Sequence, residues 1–190
     1  MRIAIAALAF TVGALAAEKS LVEGNPESGV RLLVYEDLQC PDCADFRVML
    51  DSQILPKYAK QIAVEHRDFP LPKHKWARQA AIASRYFQTV KPGLALEWRR
   101  YAMANLKEIT ADNFNDRLAA WAKQRGADPA KAAAALNDAA FAAAVEADYQ
   151  EGVARGIART PTVLVNDEPF IETFSFDQIS KGIESALRAK

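Results

Sequence analysis

The chain of 190 residues is 51% hydrophobic and 25% charged, enough to bury one sizeable core or a core plus a small lobe. Its 24 Lys and Arg equal its 24 Asp and Glu, which excludes the broad basic field of non-specific nucleic-acid binding and the acidic excess of a disordered tail. The two cysteines are too few for a disulfide-stapled mini-fold and supply only half of a four-ligand zinc site.

In chain order, Met1-Arg2 precedes an uncharged run from Ile3 to Ala16 that closes on Ala14-Leu15-Ala16, the outline of a signal peptide spanning residues 1–16. That run has 14 residues, whereas a spanning helix needs about 20, so a permanent anchor is the weaker reading. Removal of the segment takes Arg2 and no acid, leaving 23 basic against 24 acidic groups. Export to an oxidising compartment lets Cys40 and Cys43 persist as a disulfide.

After the turn cluster Gly24-Asn25-Pro26, residues 30–35 read as a strand that leads directly to the cysteines. Phe46, Met49, Leu50 and Ile54 then recur at helical spacing up to Pro56, where the helix is expected to stop, and residues 62–69 alternate like a second strand. From about Lys73 to Ala158 the chain is alanine-rich, with breaks at Pro92-Gly93, residues 110–112 and residues 126–129, and four or five helices are expected. Two stripes there, Trp76-Ala80-Ala83-Phe87 and Phe114-Leu118-Trp121, are assigned to packing, and residues 130–144 to a helix pair. Residues 161–165 read as a strand, Asn166-Asp167-Glu168 as a hairpin turn and Pro169-Phe170-Ile171 as its short partner. Phe176, Ile179, Ile183 and Leu187 mark one face of a closing helix.

A Cys-x-x-Cys at a strand-to-helix junction places Cys40 at a helix N-terminus, where unpaired amides and the dipole favour a thiolate. Cys40 is therefore the accessible nucleophile. Cys43, one turn on and deeper, is suited to resolve a mixed disulfide formed at Cys40. Pro41 fits the first helical position, where a missing N–H costs nothing. Three blander readings compete. A structural disulfide closing so short a loop removes little chain entropy. A metal site would need two more ligands, and His66 and His74 lack a supporting pair. Inert buried thiols would be unusual after a strand in an exported chain.

The segments Gly24-Asn25-Pro26, Val34-Tyr35-Glu36-Asp37-Leu38-Gln39-Cys40-Pro41-Asp42-Cys43-Ala44-Asp45-Phe46, Arg67-Asp68-Phe69-Pro70-Leu71-Pro72-Lys73-His74 and Gly156-Ile157-Ala158-Arg159-Thr160-Pro161-Thr162 resemble, in order, the DsbA-like thiol-disulfide oxidoreductases. The resemblance implies an α/β thioredoxin fold with an inserted all-helical domain: a thioredoxin-like domain of residues 17–72 and 151–190 around a helical insert of residues 73–150. It also implies that Pro161 is a cis-proline facing the cysteines. The backbone of Thr160 would then be open to an extended substrate, a form of strand addition. The competing reading of Pro161 is an ordinary proline at a strand start.

Two positions depart from the family. The buried acid commonly found six residues before the first cysteine is Val34 here. Glu36, on the same face, is the substitute candidate for proton transfer to Cys43, with water as the other route; Glu36 and Asp37 are otherwise read as a solvated strand end with a helix-capping role. Asp42 stands where strongly oxidising relatives carry a histidine. At about 7 Å and an effective dielectric of roughly 40 to 80, its charge opposes a Cys40 thiolate by about 0.6 to 1.2 kcal/mol, which implies a less oxidising centre.

The expected function is thus an exported protein thiol-disulfide oxidoreductase working in the oxidising direction as a monomer. Its partners are substrate proteins with thiols or disulfides and a membrane or soluble redox partner; nucleic acid, metal and organic cofactors are not expected. A reductase or isomerase kept reduced by a membrane donor, and a non-catalytic peptide-binding module, remain the alternatives.

Overall fold

The computed structural model describes residues 20–189, so the reading of residues 1–16 as a signal peptide lies outside the described residues. Five strands, β1 (Leu21–Gly24), β2 (Arg31–Glu36), β3 (Ala63–Asp68), β4 (Thr162–Val165) and β5 (Glu168–Ile171), form one mixed sheet in the order β1-β3-β2-β4-β5. β2 and β3 are parallel, pairing Arg31 with Ala63 through to Glu36 with Asp68, and the other neighbours are antiparallel. The β4–β5 hairpin turns at Asn166 and Asp167, both at positive φ (45° and 77°), as a two-residue turn of this hand requires.

A parallel pair needs a crossover. Here it is α1 (Pro41–Met49), which passes through a π-helical turn (Leu50–Ile54) into α2 (Leu55–Tyr58). The expectation that this helix stops at Pro56 is corrected. Proline has no N–H to offer the carbonyl four residues back, and its ring would collide with that group in a regular helix. The chain instead widens by one residue, Leu55 N–H reaching back to Leu50 O, and Pro56 falls in the first turn of α2.

One sheet face is covered by this helix and by α8 (Phe176–Arg188): Leu32, Val34 and Val64 pack with Phe46, Leu50, Ile54, Ile179 and Ile183, all buried. A reciprocal Ser175–Gln178 capping box starts α8. Between β3 and β4 run α3 (Ala77–Val90), α4 (Pro92–Ala104), α5 (Phe114–Gln124), α6 (Pro129–Ala135) and α7 (Ala139–Ala154). The expected stripes meet in an aromatic core. Phe87 lies 4.9 Å from Trp121 and 5.7 Å from Trp98, and Trp76 stacks on Phe114 at 6.0 Å. The same apolar cluster extends to Leu38, Cys40 and Cys43, so the inserted helices form part of the surroundings of the cysteines. Where α7 returns to the sheet it does so at Gly152; a Cβ there would stand 2.6 Å from the Phe69 ring and 3.1 Å from the Tyr35 ring.

Charge joins the two parts as well. A buried ladder runs from Glu23 through His66 to Glu36 (2.9 and 2.6 Å), then through Arg99 of α4 to Asp68 (2.7 Å), and on through Arg85 of α3 to Asp148 of α7. Arg99 alone makes two bonds to Glu36 Oε1, at 2.9 and 3.0 Å, besides its bond to Asp68. Removing one member leaves its partners as uncompensated buried ions. Arg99→Met is therefore expected to lower the free energy of unfolding by about 3 to 5 kcal/mol, read from the shift of the urea midpoint; a loss below about 1 kcal/mol would assign the ladder no structural role.

Candidate redox site

β2 delivers the chain to the site and α1 receives it. Past Glu36 the backbone turns, Cys40 N–H returning to Asp37 O at 3.0 Å, and Cys40 takes the N-cap position with extended φ −84° and ψ 126°, followed by Pro41 at the first helical position. No side-chain oxygen caps α1. The position of a capping oxygen is taken by sulfur, and the nearby amides of Cys43 and Asp42 favour its thiolate form. The Cys40 thiol donates to Thr160 O at 3.4 Å, and the Thr160–Pro161 peptide bond is cis. The Thr160 hydroxyl is buried without a hydrogen bond of ordinary geometry and acts on the Cys40 sulfur across the same seam.

The two sulfurs are in opposite states of readiness. The Cys43 thiol donates to Cys40, the largest influence on it, and with the two amides it outweighs burial and brings Cys40 down from 9.0 to about 6. Burial, then the neighbouring Cys40 sulfur, push Cys43 well above the ordinary thiol range. Asp37 N–H donates to Cys43 Sγ at 3.4 Å. Cys40 keeps 5% of its surface and Cys43 none. The accessible sulfur expected at Cys40 is thus more covered than a helix start alone would leave it, because the Thr160 carbonyl and the apolar cluster around Leu38 close over it.

Glu36 and Asp37 require correction. Neither is a solvated strand end: they are 2% and 1% exposed. Neither caps α1. Glu36 points into the charge ladder. Burial works against its charge, but the Arg99 guanidinium and His66 overcome this and hold its carboxyl at about 2, as an ion. Burial likewise opposes charge on His66, yet Glu36 and Glu23 on its two ring nitrogens raise its pKa. Asp37 is a brace. Its carboxylate accepts from Gln39 N (2.7 Å), Leu71 N (2.7 Å) and His74 Nδ1 (2.8 Å), while Gln39 Oε1 accepts from Trp76 N (2.8 Å). Burial raises the pKa of Asp37 despite those bonds.

Val34 is fully buried in the apolar sheet face, leaving no acid at that position. Asp42 is half-buried on the first turn of α1, and no ion pair to it occurs among the described residues. Arg99, His66 and the brace of Asp37 with His74 belong to the site but were not singled out for it in the sequence. They come from segments 30 to 63 residues away from their partners and carry no local motif. Among the described residues no three His, Cys, Asp or Glu side chains converge as metal donors.

The asymmetry of the sulfurs fixes a pH response. A thiol with a lowered folded pKa stabilises the reduced protein above that value and loses the contribution as pH falls through it. For Cys40 the gain accumulates between about 6 and 9.0. Iodoacetamide should therefore alkylate reduced Cys40 with a midpoint near pH 6 and leave Cys43 unmodified, as peptide mass mapping would show; a midpoint near that of a free thiol, about 8.5, would contradict the geometry.

The fold and this geometry can be set beside known proteins. A family model described as thioredoxin matches residues 16–185. Oxidised BdbD from Bacillus subtilis superposes with a TM-score of 0.79 at 22% identity, covering 89% of this chain and 93% of that one. Alpha-DsbA1 from Wolbachia pipientis gives 0.78 at 17%, covering 90% and 92%. A protein-disulfide isomerase from Novosphingobium aromaticivorans gives 0.67 at 20%, covering 87% and 96%. No curated protein sequence matches. At these identities the solved structures establish the shared fold, a thioredoxin-type sheet with helices inserted between β3 and β4. With nearly nine-tenths of its length matched by the family model, the chain belongs to the thioredoxin family.

Proposed function

We propose that this chain is an exported protein thiol-disulfide oxidoreductase that passes a Cys40–Cys43 disulfide to client proteins. The observation that carries the reading is the opposed pair of sulfurs at one helix start, Cys40 lowered to about 6 and Cys43 raised. A client thiolate attacks Cys40 Sγ, forming a mixed disulfide and breaking the Cys40–Cys43 bond; Cys43 leaves with the electron pair and takes up a proton. A second client thiolate then attacks the client sulfur and expels Cys40. The client is oxidised by two electrons and the Cys40–Cys43 pair is reduced by two. A low-pKa thiol leaves faster, so the stabilised Cys40 thiolate favours this second step.

The cis bond before Pro161 and the contact of Thr160 O with Cys40 support docking of an extended client along the Thr160 backbone. A membrane or soluble redox partner resets the pair, and no metal or organic cofactor enters the step. Export rests on the outline of residues 1–16; among the described residues no helix is long and apolar enough to cross a membrane. Asp42 favours a second reading, a reductase or isomerase, because a carboxylate beside Cys40 works against its thiolate.

Two measurements test these readings. Cys43→Ala should accumulate mixed disulfides with clients through Cys40, and Cys40→Ala none; a peptide-binding module would yield no adducts and keep its partners in both. Asp42→His should raise the reduction potential against glutathione by on the order of 10 to 30 mV. An unchanged or lowered potential would remove Asp42 as a determinant of redox poise.

A further inference from the structure

Beside the redox pair lies a groove of about 330 Å³, at the small end of the range of about 300 to 1,000 Å³ usual for ligand pockets and suited to one or two side chains. One wall is a face of α1, with Asp42, Asp45, Phe46 and Met49; the other is the segment between β5 and α8, with Glu172 and Phe174. The floor is apolar. The Phe46 and Phe174 rings stand 5.6 Å apart, and half-buried Met49 supplies a thioether able to adapt to varied shapes. Both walls are tied to the chemistry. Asp42 lies between the two cysteines, and Glu172 N–H donates to Pro161 O at 2.8 Å. Glu172 is held there at φ 55°, a left-handed backbone conformation that a glutamate adopts only under constraint.

The rim is acidic in a chain whose 24 basic and 24 acidic residues cancel. Glu172 pairs with Arg159 at 2.6 Å. No ion pair to Asp42 or Asp45 occurs among the described residues, and no basic residue lines the groove. An approaching client thiolate therefore meets two carboxylates that have no ion-pair partner among the described residues, a repulsion that salt screens over about 8 to 10 Å. A client residue of opposite charge next to the reacting cysteine offsets that repulsion and pairs with the rim.

We propose that this groove makes the redox centre selective for cationic client segments, seating a large apolar side chain on Phe46, Met49 and Phe174 and a flanking Lys or Arg against Asp42, Asp45 and Glu172. The proposal rests on the thiol-disulfide exchange described above and names its substrate class.

The oxidised full-length chain is mixed with three cysteine peptides that are identical except for residues flanking the cysteine: a pair of Arg, of Gln or of Glu. Glutathione serves as a reference thiol, and second-order rates are read from loss of the Cys40–Cys43 disulfide. The Arg peptide should react roughly tenfold faster than the Glu peptide at low ionic strength, with Gln between them, and the ratio should shrink toward unity near 1 M salt. Flanking charges also alter a peptide's own thiol, so the deciding quantity is the Arg-to-Glu ratio in Asp45→Asn/Glu172→Gln relative to wild type. A ratio at least threefold smaller in the double variant supports the groove; an unchanged ratio, with glutathione still oxidised by the wild type, overturns this inference alone. Failure of glutathione and every peptide to react would overturn the exchange reading itself.

Discussion

Every α-helix begins with amides that have no partner in the helix, and in most proteins an oxygen from Ser, Thr, Asp or Asn answers them. At the start of α1 that oxygen is missing and a sulfur stands in its place. The amides of Cys43 and Asp42, needing an acceptor, are satisfied better by a thiolate than by a thiol, and the rest of the site can be understood as what is required to keep this substitution in position. The turn from Asp37 to Cys40 sets the backbone angle, Pro41 begins the helix without needing a partner of its own, and the Thr160 carbonyl closes the remaining side. Reactivity at Cys40 is in this sense a helix-capping problem solved with an atom that can exchange bonds.

The acids around the centre divide the labour. Glu36 is clamped as an ion by Arg99 and His66, so it contributes a negative field on the Cys43 side. Asp37 holds three donors from two separate segments and so keeps the turn that aims its own amide at Cys43. Because Arg99 belongs to α4, the inserted helices supply Glu36 and Asp68 with a permanent counter-ion, beside the His66 that β3 offers Glu36. A buried ion pair of this kind is a weak source of net stability, but once one charge is buried the others become obligatory. The inserted helices are therefore bound to the sheet by an electrostatic requirement as well as by the aromatic core.

Much of this was legible because it is periodic or local. A run of β-branched and large apolar residues marked β2, alternation marked β3, the Trp76 and Phe114 stripes marked buried helix faces, and three-residue spacing at a strand end marked the cysteines. β1 was not marked, since four residues reading Leu-Val-Glu-Gly hold too little pattern to stand out. The helix passing Pro56 went unread because a proline usually ends one, and only the local π turn makes room for it. The burial of Glu36 and Asp37 was hidden for a deeper reason. A carboxylate at a strand end reads as solvated until its partners are known, and Arg99 and His74 stand 63 and 37 residues away. Sequence spacing reveals groups that act along one element; it is silent on groups that meet across three.

Gly152 shows how far the site extends. It lies in α7 against Tyr35 and Phe69, and those two rings sit on the residue before Glu36 and the residue after Asp68, at the very ends of β2 and β3. One residue past Phe69 begins the Pro70-Leu71 segment whose amide holds Asp37. A single added methyl group at position 152 would act as a wedge on both strand tips at once, displacing the brace without touching a cysteine. Besides Asp148 of the charge ladder, α7 must therefore keep one missing side chain, and damage at Gly152 would present as a slow enzyme with an intact active-site motif.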